Sequence, residues 1–226
     1  MVITESNIKE QKIIYAARKV FYEKGFKKAT TRLIAENADV NHAMIHYYFR
    51  DKKKLAVVVL DDFYKKMNFL VIPHFSKTTD PMLFEAVMLR VIYFHILNDS
   101  GFLRFYCEIV NTEIVEDFFM DYGIKLFLKA GLYHNKNQDE KSARLNQWVI
   151  TSFEQKIFNR IAKKELTYTY EELIDFLVSI PLKLMNFKQT NIKKILKESQ
   201  EIFDKIEPLT TPIINHFEEP ILSNII

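Results

Sequence analysis

TTRLIAENADVNHAMIHYYFRDKKKL, residues 30–55, holds two short helical segments separated by a tight turn. Thr30 or Thr31 can cap the N-terminus of the first segment, which ends near Asp39. Asn41 has the side chain of a second N-cap and starts the next segment. Two short helices joined by about three residues form the helix-turn-helix layout. This stretch therefore predicts a unit that presents its second helix to a partner.

The second segment has an apolar and a polar side. Ile45 and Phe49 lie on the apolar side, which predicts packing against the preceding helices. A helix that enters a DNA major groove needs side chains that reach base edges near its N-terminus. Tyr48 and Lys52 flank the polar side, where a hydroxyl and an ammonium can reach phosphates. The polar side holds His42, Ala43, His46 and Tyr47.

Basic charge is concentrated at the same end of the chain. Residues 1–55 contain twelve Lys or Arg and six Asp or Glu, whereas the remainder contains twenty and twenty-three. An asymmetry of this kind favours contact between the N-terminal quarter and a polyanion such as nucleic acid or a membrane surface. The run RDKKK, residues 50–54, has a second interpretation as the solvated start of a helix. Charge alone does not distinguish a surface that binds a polyanion from the solvated start of a helix.

The whole chain of 226 residues reads as all-α. It has only four glycines and six prolines, and no stretch alternates apolar and polar residues over the length of a strand. Pro181 is expected to kink or break its helix. We predict a three-helix domain over residues 1–55 and a larger helical domain over residues 56–226. The expected helices span about 8–24, 31–39, 41–48, 51–73, 80–98, 101–110, 112–133, 139–164, 169–187 and 191–206.

Several classes of protein are disfavoured by what the sequence lacks. The longest uninterrupted apolar run is six residues, Leu55 to Leu60, well below the ~18 needed to cross a bilayer. The polar start and the single cysteine, Cys107, favour a cytoplasmic protein. There is no GxSxG, P-loop, GxGxxG or CxxC motif, and the six histidines form no metal-ligand pattern beyond the pair at 42 and 46. We expect no enzyme, no cofactor and no metal.

Residues 13–55 resemble the DNA-binding domain of TetR-family transcriptional regulators. The resemblance rests on the AARKVF run, on Gly25 followed by an aromatic residue, and on Thr-Thr before the second helix. It also rests on Ile-Ala at 34 and 35 and on the Tyr48-Phe49 pair three residues before Lys52. The stretch covers about a fifth of the chain. The rest is similar to the family in length and helical character only.

The resemblance implies that the third helix is a recognition helix and that a homodimer binds a roughly palindromic operator. It implies base contacts from Arg32, His42, Ala43 and Tyr47, and phosphate contacts from Thr31, His46, Tyr48 and Lys52. This chain departs from the family pattern at three positions. Asp39 stands where the turn usually has glycine, and Asp tolerates a positive φ. Asn41 replaces a common Ser cap, and His46 stands where Tyr is common.

Aromatic residues concentrate in the predicted second domain, which holds sixteen of the nineteen Phe and the only Trp. They are either an ordinary helical core or the lining of a pocket for a small apolar effector, as the resemblance implies. The candidate lining is Phe94, His95, Phe105, Tyr106, Asn111, Phe127, Trp148 and Phe153. Helices near 169–187 and 191–206 carry apolar stripes that the resemblance assigns to a four-helix dimer interface. The stripes are Leu173, Phe176, Leu177 and Ile180, and Ile192, Ile195, Leu196 and Phe203.

These features favour a dimeric, ligand-responsive transcriptional repressor that binds double-stranded DNA. Two other classes fit the same sequence. One is a DNA-binding protein that organises chromosomes without regulating a promoter. The other is an all-helical adaptor whose helix-turn-helix contacts protein.

Overall fold

The computed structural model describes residues 5–76, 79–110 and 112–206 of the chain. Within these ranges the protein is all-α, with ten α-helices, one 3₁₀ turn at Ile72–His74 and no strand. The helices are α1 (Glu5–Lys28), α2 (Thr31–Asn37), α3 (Ala43–Phe49), α4 (Lys52–Val71), α5 (Pro81–Asn98), α6 (Ser100–Ile109), α7 (Glu113–Tyr133), α8 (Glu140–Ala162), α9 (Tyr170–Leu184) and α10 (Gln189–Phe203). The predicted all-α class is confirmed.

The first three helices form a small N-terminal unit around a buried apolar centre. Phe21 of α1, Ile34 of α2 and Ile45 of α3 are each fully buried there. Ala35 is also buried, and its small side chain lets helices approach closely. Leu55, in the first turn of α4, is buried as well, so α4 leads from this unit directly into the rest of the protein. The unit thereby holds α3 in a fixed orientation at one end of the molecule.

α5 is the central helix of the larger C-terminal domain. By length and composition it could cross a membrane, but 67% of the helix is buried inside the protein, as in a core helix. It packs against α9 and α10 on one side and against α4, α6 and α7 on others. A helix surrounded in this way is apolar on nearly every face, so its sequence gives little sign of which side meets which neighbour.

Arg90 of α5 is fully buried and joins α5 to the last two helices. Its guanidinium donates to Ser199 Oγ at 2.9 Å, to Gln200 Oε1 at 2.7 Å and to Asp175 Oδ1 at 2.5 Å. A buried charge of this kind is tolerated because its donors are satisfied. The network ties α9 and α10 firmly to their own subunit.

Local signals in the sequence account for most helix ends. Thr30, Asp51 and Asp80 cap α2, α4 and α5 through their side chains, and Thr30 is one of the two residues predicted to cap α2. Gly25 has a non-helical φ of 76° and ψ of 165°, so the regular helix stops there as predicted, and a further helical turn runs to Lys28. One detail differs from expectation. Pro181 lies in the last turn of α9, whose helical assignment continues without a break to Leu184.

The apolar stripes of α9 and α10 are used largely inside the subunit. Leu177 of α9 and Ile192, Ile195 and Phe203 of α10 are buried, and both helices pack on α5. The predicted dimer stripes are therefore mostly unavailable to a second subunit. Only Phe176, 49% exposed, projects from the α9 stripe as a large apolar group.

Candidate nucleic-acid interface and effector cavity

Short-range hydrogen bonds set the angle between α2 and α3. Asp39 adopts the left-handed conformation with φ 52°, as predicted for this turn position. The Val40 amide donates back to the Ala35 carbonyl at 3.1 Å and closes the turn. The Ala43 amide donates to Asn41 Oδ1 at 2.9 Å, so Asn41 caps the third helix although α3 formally begins at Ala43. The helix-turn-helix geometry therefore follows from side chains that the sequence makes recognisable.

α3 presents its polar side to solvent. Tyr47 is 76% exposed, which is unusual for so large an aromatic side chain in a folded unit. Ala43 and His46 are also exposed, and so is Arg32 on α2. His42 is half-buried, and its Nε2 lies 2.8 Å from Thr31 Oγ1, so α2 orients this ring. The four residues predicted to contact bases thus lie on, or beside, one accessible face.

Lys52 is anchored on the protein itself. Its ammonium donates to the carbonyls of Phe26 and Ala29, each at 2.8 Å, and lies 4.4 Å from the centre of the Phe26 ring. Burial lowers the pKa of Lys52, and the charge of Glu108 opposes that shift. An ammonium has three donors, so one proton remains after these two bonds. Lys52 therefore has a structural role at the end of α1 and keeps one proton for a further acceptor.

His46 supports the connection between α3 and α4. Its Nδ1 lies 2.6 Å from the Arg50 carbonyl, which can only accept, so Nδ1 carries the proton. Arg50 has φ 65° and ψ −51°, and the Asp51 amide donates across it to the Phe49 carbonyl at 2.8 Å. This tight turn is strained for a residue with a side chain. The ring of His46 helps to hold it, which leaves Nε2 as the atom that could meet DNA.

α6 holds α1 on both sides of Gly25. Arg104 donates to the carbonyls of Tyr22 and Glu23 at 2.6 and 2.9 Å. Glu108 accepts from the Lys27 amide at 2.6 Å. These bonds join the C-terminal domain directly to the end of the helix that supports α2 and α3. A displacement of α6 would consequently change the position of α3.

A small cavity lies at the centre of the C-terminal domain, between α4, α5, α7, α8 and α9. Its volume is about 50 Å³, and two carboxylates line it, Glu85 of α5 and Glu154 of α8. Tyr122 donates to Glu85 at 2.5 Å, and Tyr93 donates to Glu154. Burial raises the pKa of each carboxyl to about 7. The carboxylates are therefore close to the point of ionisation at neutral pH.

Two wider cavities adjoin this centre. One, of about 300 Å³, lies between α4, α5 and α7. The other, of about 510 Å³, is lined by apolar groups that include Ile72, Phe75 and Phe84. The ring of Tyr122 lines all three cavities. Together they are large enough for a small organic molecule.

The predicted pocket residues are dispersed in the structure. None of the seven described members lines these cavities, and Asn111 lies outside the described residues. Phe105 stacks on Phe21 at 5.2 Å and belongs to the junction with α1. Trp148 is 47% exposed on α8. The remaining members are part of the aromatic core: Phe94, His95, Tyr106, Phe127 and Phe153.

Sequence patterns did not point to Glu85 and Glu154. Glu85 is one of the few charged residues on the largely apolar α5, but its spacing does not show that it lines a cavity. For metals, the described ranges contain no group of three or more His, Cys, Asp or Glu that could hold an ion. Cys107 is buried, and burial raises the pKa of its thiol to about 12, which makes it unreactive.

Residues 13–59 match the family model described as bacterial regulatory proteins, tetR family. The probable HTH-type transcriptional regulator YttP of Bacillus subtilis (strain 168) is 28% identical over 138 residues, which are 54% of this chain and 64% of YttP. The uncharacterized HTH-type transcriptional regulator YuxN of the same organism is 27% identical over 95 residues, 42% of this chain and 33% of YuxN. The chain thus spans less than two thirds of either relative.

The fold as a whole also has solved counterparts. The crystal structure of RolR in complex with the ligand resorcinol superposes with a TM-score of 0.61 at 17% identity, covering 83% of this chain and 94% of RolR. At this identity the likeness is one of fold. The helix-turn-helix geometry and the match over residues 13–59 lead to one assignment. Residues 13–59 thus form a helix-turn-helix domain of the type found in bacterial regulatory proteins of the tetR family.

Proposed function

We propose that this protein is a dimeric transcriptional repressor whose affinity for an operator changes when a small effector binds its C-terminal domain. The observation that carries the proposal is the exposed polar face of α3, with Tyr47 76% in solvent, on a unit of the family's DNA-binding type. An exposed aromatic side chain on a rigid short helix is suited to base edges in the major groove.

Direct base contacts are assigned to Arg32, His42, Ala43 and Tyr47. Their placement near the start of α3, and on the adjoining face of α2, supports this. Phosphate contacts are assigned to Thr31, His46, Tyr48 and Lys52. Lys52 supports the assignment through its one remaining ammonium proton. Its hydrogen bonds to the carbonyls of Phe26 and Ala29 restrict the movement of the ammonium. A pre-positioned cation loses less entropy when it meets a phosphate.

Effector control is supported by the cavities at the centre of the C-terminal domain and by the bonds between α6 and α1. RolR, which shares the fold, has been solved with resorcinol. In this chain, a ligand in the cavities would contact α4, α5, α7 and α8. A shift of α4 or of α6 would then move α3 relative to its copy, and two recognition helices must be ~34 Å apart to fit successive grooves.

Dimerisation is assigned to the outer faces of α8 and α9. Leu145, Trp148 and Val149 form an exposed apolar stripe on α8, and Phe176 adds to it from α9. The outer face of α10 carries exposed Lys193 and charged pairs such as Lys194–Glu198. A charged, solvated face is a poor dimer core, whereas large exposed aromatic side chains are typical of one.

The decisive experiment is selection of bound duplexes from a random pool, followed by binding measurements on two variants. A palindromic site would identify the target sequence and would show that the protein binds it with two-fold symmetry. Tyr47→Ala should change which sequence is preferred. Lys52→Ala should weaken binding to all duplexes and lower the salt dependence of log K by about one unit.

Lys193→Ala on α10 is the matched control, because it removes an exposed lysine far from α3. It should leave affinity and salt dependence unchanged. Since Lys52 also holds the end of α1, thermal unfolding must show that Lys52→Ala remains folded. Equal effects of Tyr47→Ala and Lys52→Ala on selected and random DNA would contradict the division of roles.

Two other functions give different outcomes in the same selection. A chromosome-organising protein would bind most duplexes with weak preference. A protein-interaction adaptor would retain no DNA at all. The exposed α3 face is compatible with both, so the selection decides.

A further inference from the structure

We propose, on the basis of the function proposed above, that the effector is an apolar amine bound as a cation, with its charged end in the small central cavity beside Glu85 and Glu154. A primary ammonium has three donors, and the side chains lining this space offer three acceptors. They are the two carboxylates and the Gln147 amide oxygen.

The first step concerns charge. Neither Glu85 nor Glu154 forms an ion pair with any Lys, Arg or His in the described parts of the chain, and each is bonded instead to a tyrosine hydroxyl. Glu85 is nearly fully buried. Two acids close enough to interact, with no protein cation beside them, are costly to keep ionised. A ligand cation would supply the missing positive charge.

The second step is Gln147, an independent observation. This side chain is only 7% exposed and lines the same cavity. It lies against Gly123 of α7, where a Cβ would come within 1.9 Å of Gln147 Oε1. The amide oxygen can accept a hydrogen bond from a ligand in the cavity. A hydrogen bond shielded from water in this way is stronger than one at the surface.

The third step is the ring of tyrosines. Tyr64, Tyr93 and Tyr122 line the cavity, and Tyr106 hydrogen-bonds to Tyr64 behind it. Aromatic faces attract cations, most strongly in sites shielded from water. An anion would instead meet two carboxylates and the negative faces of these rings. The lining therefore discriminates by charge.

The fourth step is size and polarity. The central space of about 50 Å³ holds an ammonium group and little more. The adjoining cavities of about 300 and 510 Å³ hold a larger body. Apolar groups such as Phe84 and Leu126 line the larger one, beside the charged ends of Lys125 and Lys129. The ligand expected from this shape has one cationic end and an apolar tail.

The acids also predict a pH dependence. Groups facing the site are Tyr64 from α4, Glu85 and Tyr93 from α5, Tyr122 from α7 and Glu154 from α8, with Lys125, Asp61, Lys65 and Asp121 at the openings. Burial raises the pKa of both carboxyls to about 7, so the free protein retains protons there near neutrality. A cation favours the ionised forms. Binding should release protons and become tighter as the pH rises from about 6 to 8.

The test uses three probes with one skeleton: 4-phenylbutylamine, 4-phenylbutanol and 4-phenylbutyrate. Titration calorimetry on the full-length protein should show the amine binding about tenfold tighter than the alcohol or more, with the acid weakest. Repeating the titration in buffers of different ionisation enthalpy should reveal proton release for the amine alone. These wild-type measurements do not depend on any variant folding.

Glu85→Gln and Glu154→Gln keep the shape of each side chain and remove its charge. Each should erase most of the preference for the amine over the alcohol. Glu116→Gln, at an exposed position on α7, is the matched control and should keep the preference. Thermal unfolding without probe establishes that each variant is folded.

An amine that binds no better than the alcohol, or that fails to bind, overturns the inference. So does amine binding without proton release. Operator binding is measured separately without any probe, so the two proposals fail independently. Retained operator binding with no amine preference rejects only the effector class, whereas amine preference with no operator binding rejects the repressor.

Discussion

Gly25 occupies a conformation that other residues rarely adopt. Its φ of 76° and ψ of 165° lie in a region populated essentially by glycine. A Cβ at this position would also come 2.7 Å from the carboxylate of Glu108. Gly25→Ala should therefore lower the free energy of unfolding by roughly 1–3 kcal/mol, which urea denaturation would measure.

Asp39 provides the control for that experiment, because its φ of 52° is left-handed but well tolerated. Asp39→Gly should change stability by less than about 1 kcal/mol. Gly25→Ala in a Glu108→Ala background separates the two causes, since only the steric contact is relieved there. Full recovery in that background would show that the backbone conformation carries no strain.

Residues whose role is set by short-range chemistry were open to prediction. The positive φ of Asp39 and the caps at Thr30 and Asp51 follow from side chains acting on neighbouring amides. Glu85 and Glu154 were not predictable, because their role depends on which helices surround them. Because α5 is apolar on nearly every side, its periodicity does not show which side faces inward. The sequence therefore could not show that a lone carboxylate on this helix lines a cavity.

At the scale of elements, the junction between α1 and α6 joins the C-terminal domain to the helix-turn-helix unit. Glu108 accepts from the Lys27 amide, beyond the kink at Gly25, while Arg104 binds carbonyls before it. α6 therefore fixes both halves of the bent helix. Lys52 adds a third tie, since it binds the carbonyls of Phe26 and Ala29 from α4.

Glu108→Ala should loosen the last turn of α1. The Lys27 amide loses its acceptor, so its hydrogen exchange should become faster, and that of Ala29, which donates to Gly25, should follow. Amide exchange followed by mass spectrometry or NMR measures this. Glu113→Ala, an exposed change on α7, is the control. Unchanged exchange at Lys27 would mean that the junction does not hold the helix end.

Helix positions were predictable to within a few residues, but helix partners were not. The stripes of α9 and α10 have the apolar spacing expected of a buried face. A stripe is equally apolar whether it meets its own subunit or a copy, so the sequence could not distinguish the two. The buried network of Arg90 settles the matter for α10, because it fastens Ser199 and Gln200 to α5 of the same subunit.

At the scale of the whole molecule, the proposed function requires two copies at a fixed spacing. Each α3 contacts only a few base pairs, so affinity for an operator depends on both half-sites being engaged together. We assign pairing to the face around Trp148 and Phe176, which are 47% and 49% exposed and where Leu145 and Val149 extend the apolar surface. A contiguous exposed apolar patch marks an interaction site.

Trp148→Glu should accordingly shift the protein from dimer to monomer, because a charge would be buried at the centre of the pairing face. Sedimentation velocity measures the oligomeric state, and operator affinity should fall about tenfold or more as the second half-site is lost. Lys193→Glu on the charged outer face of α10 is the control and should leave the dimer intact. If Lys193→Glu separates the subunits and Trp148→Glu does not, pairing runs through α10.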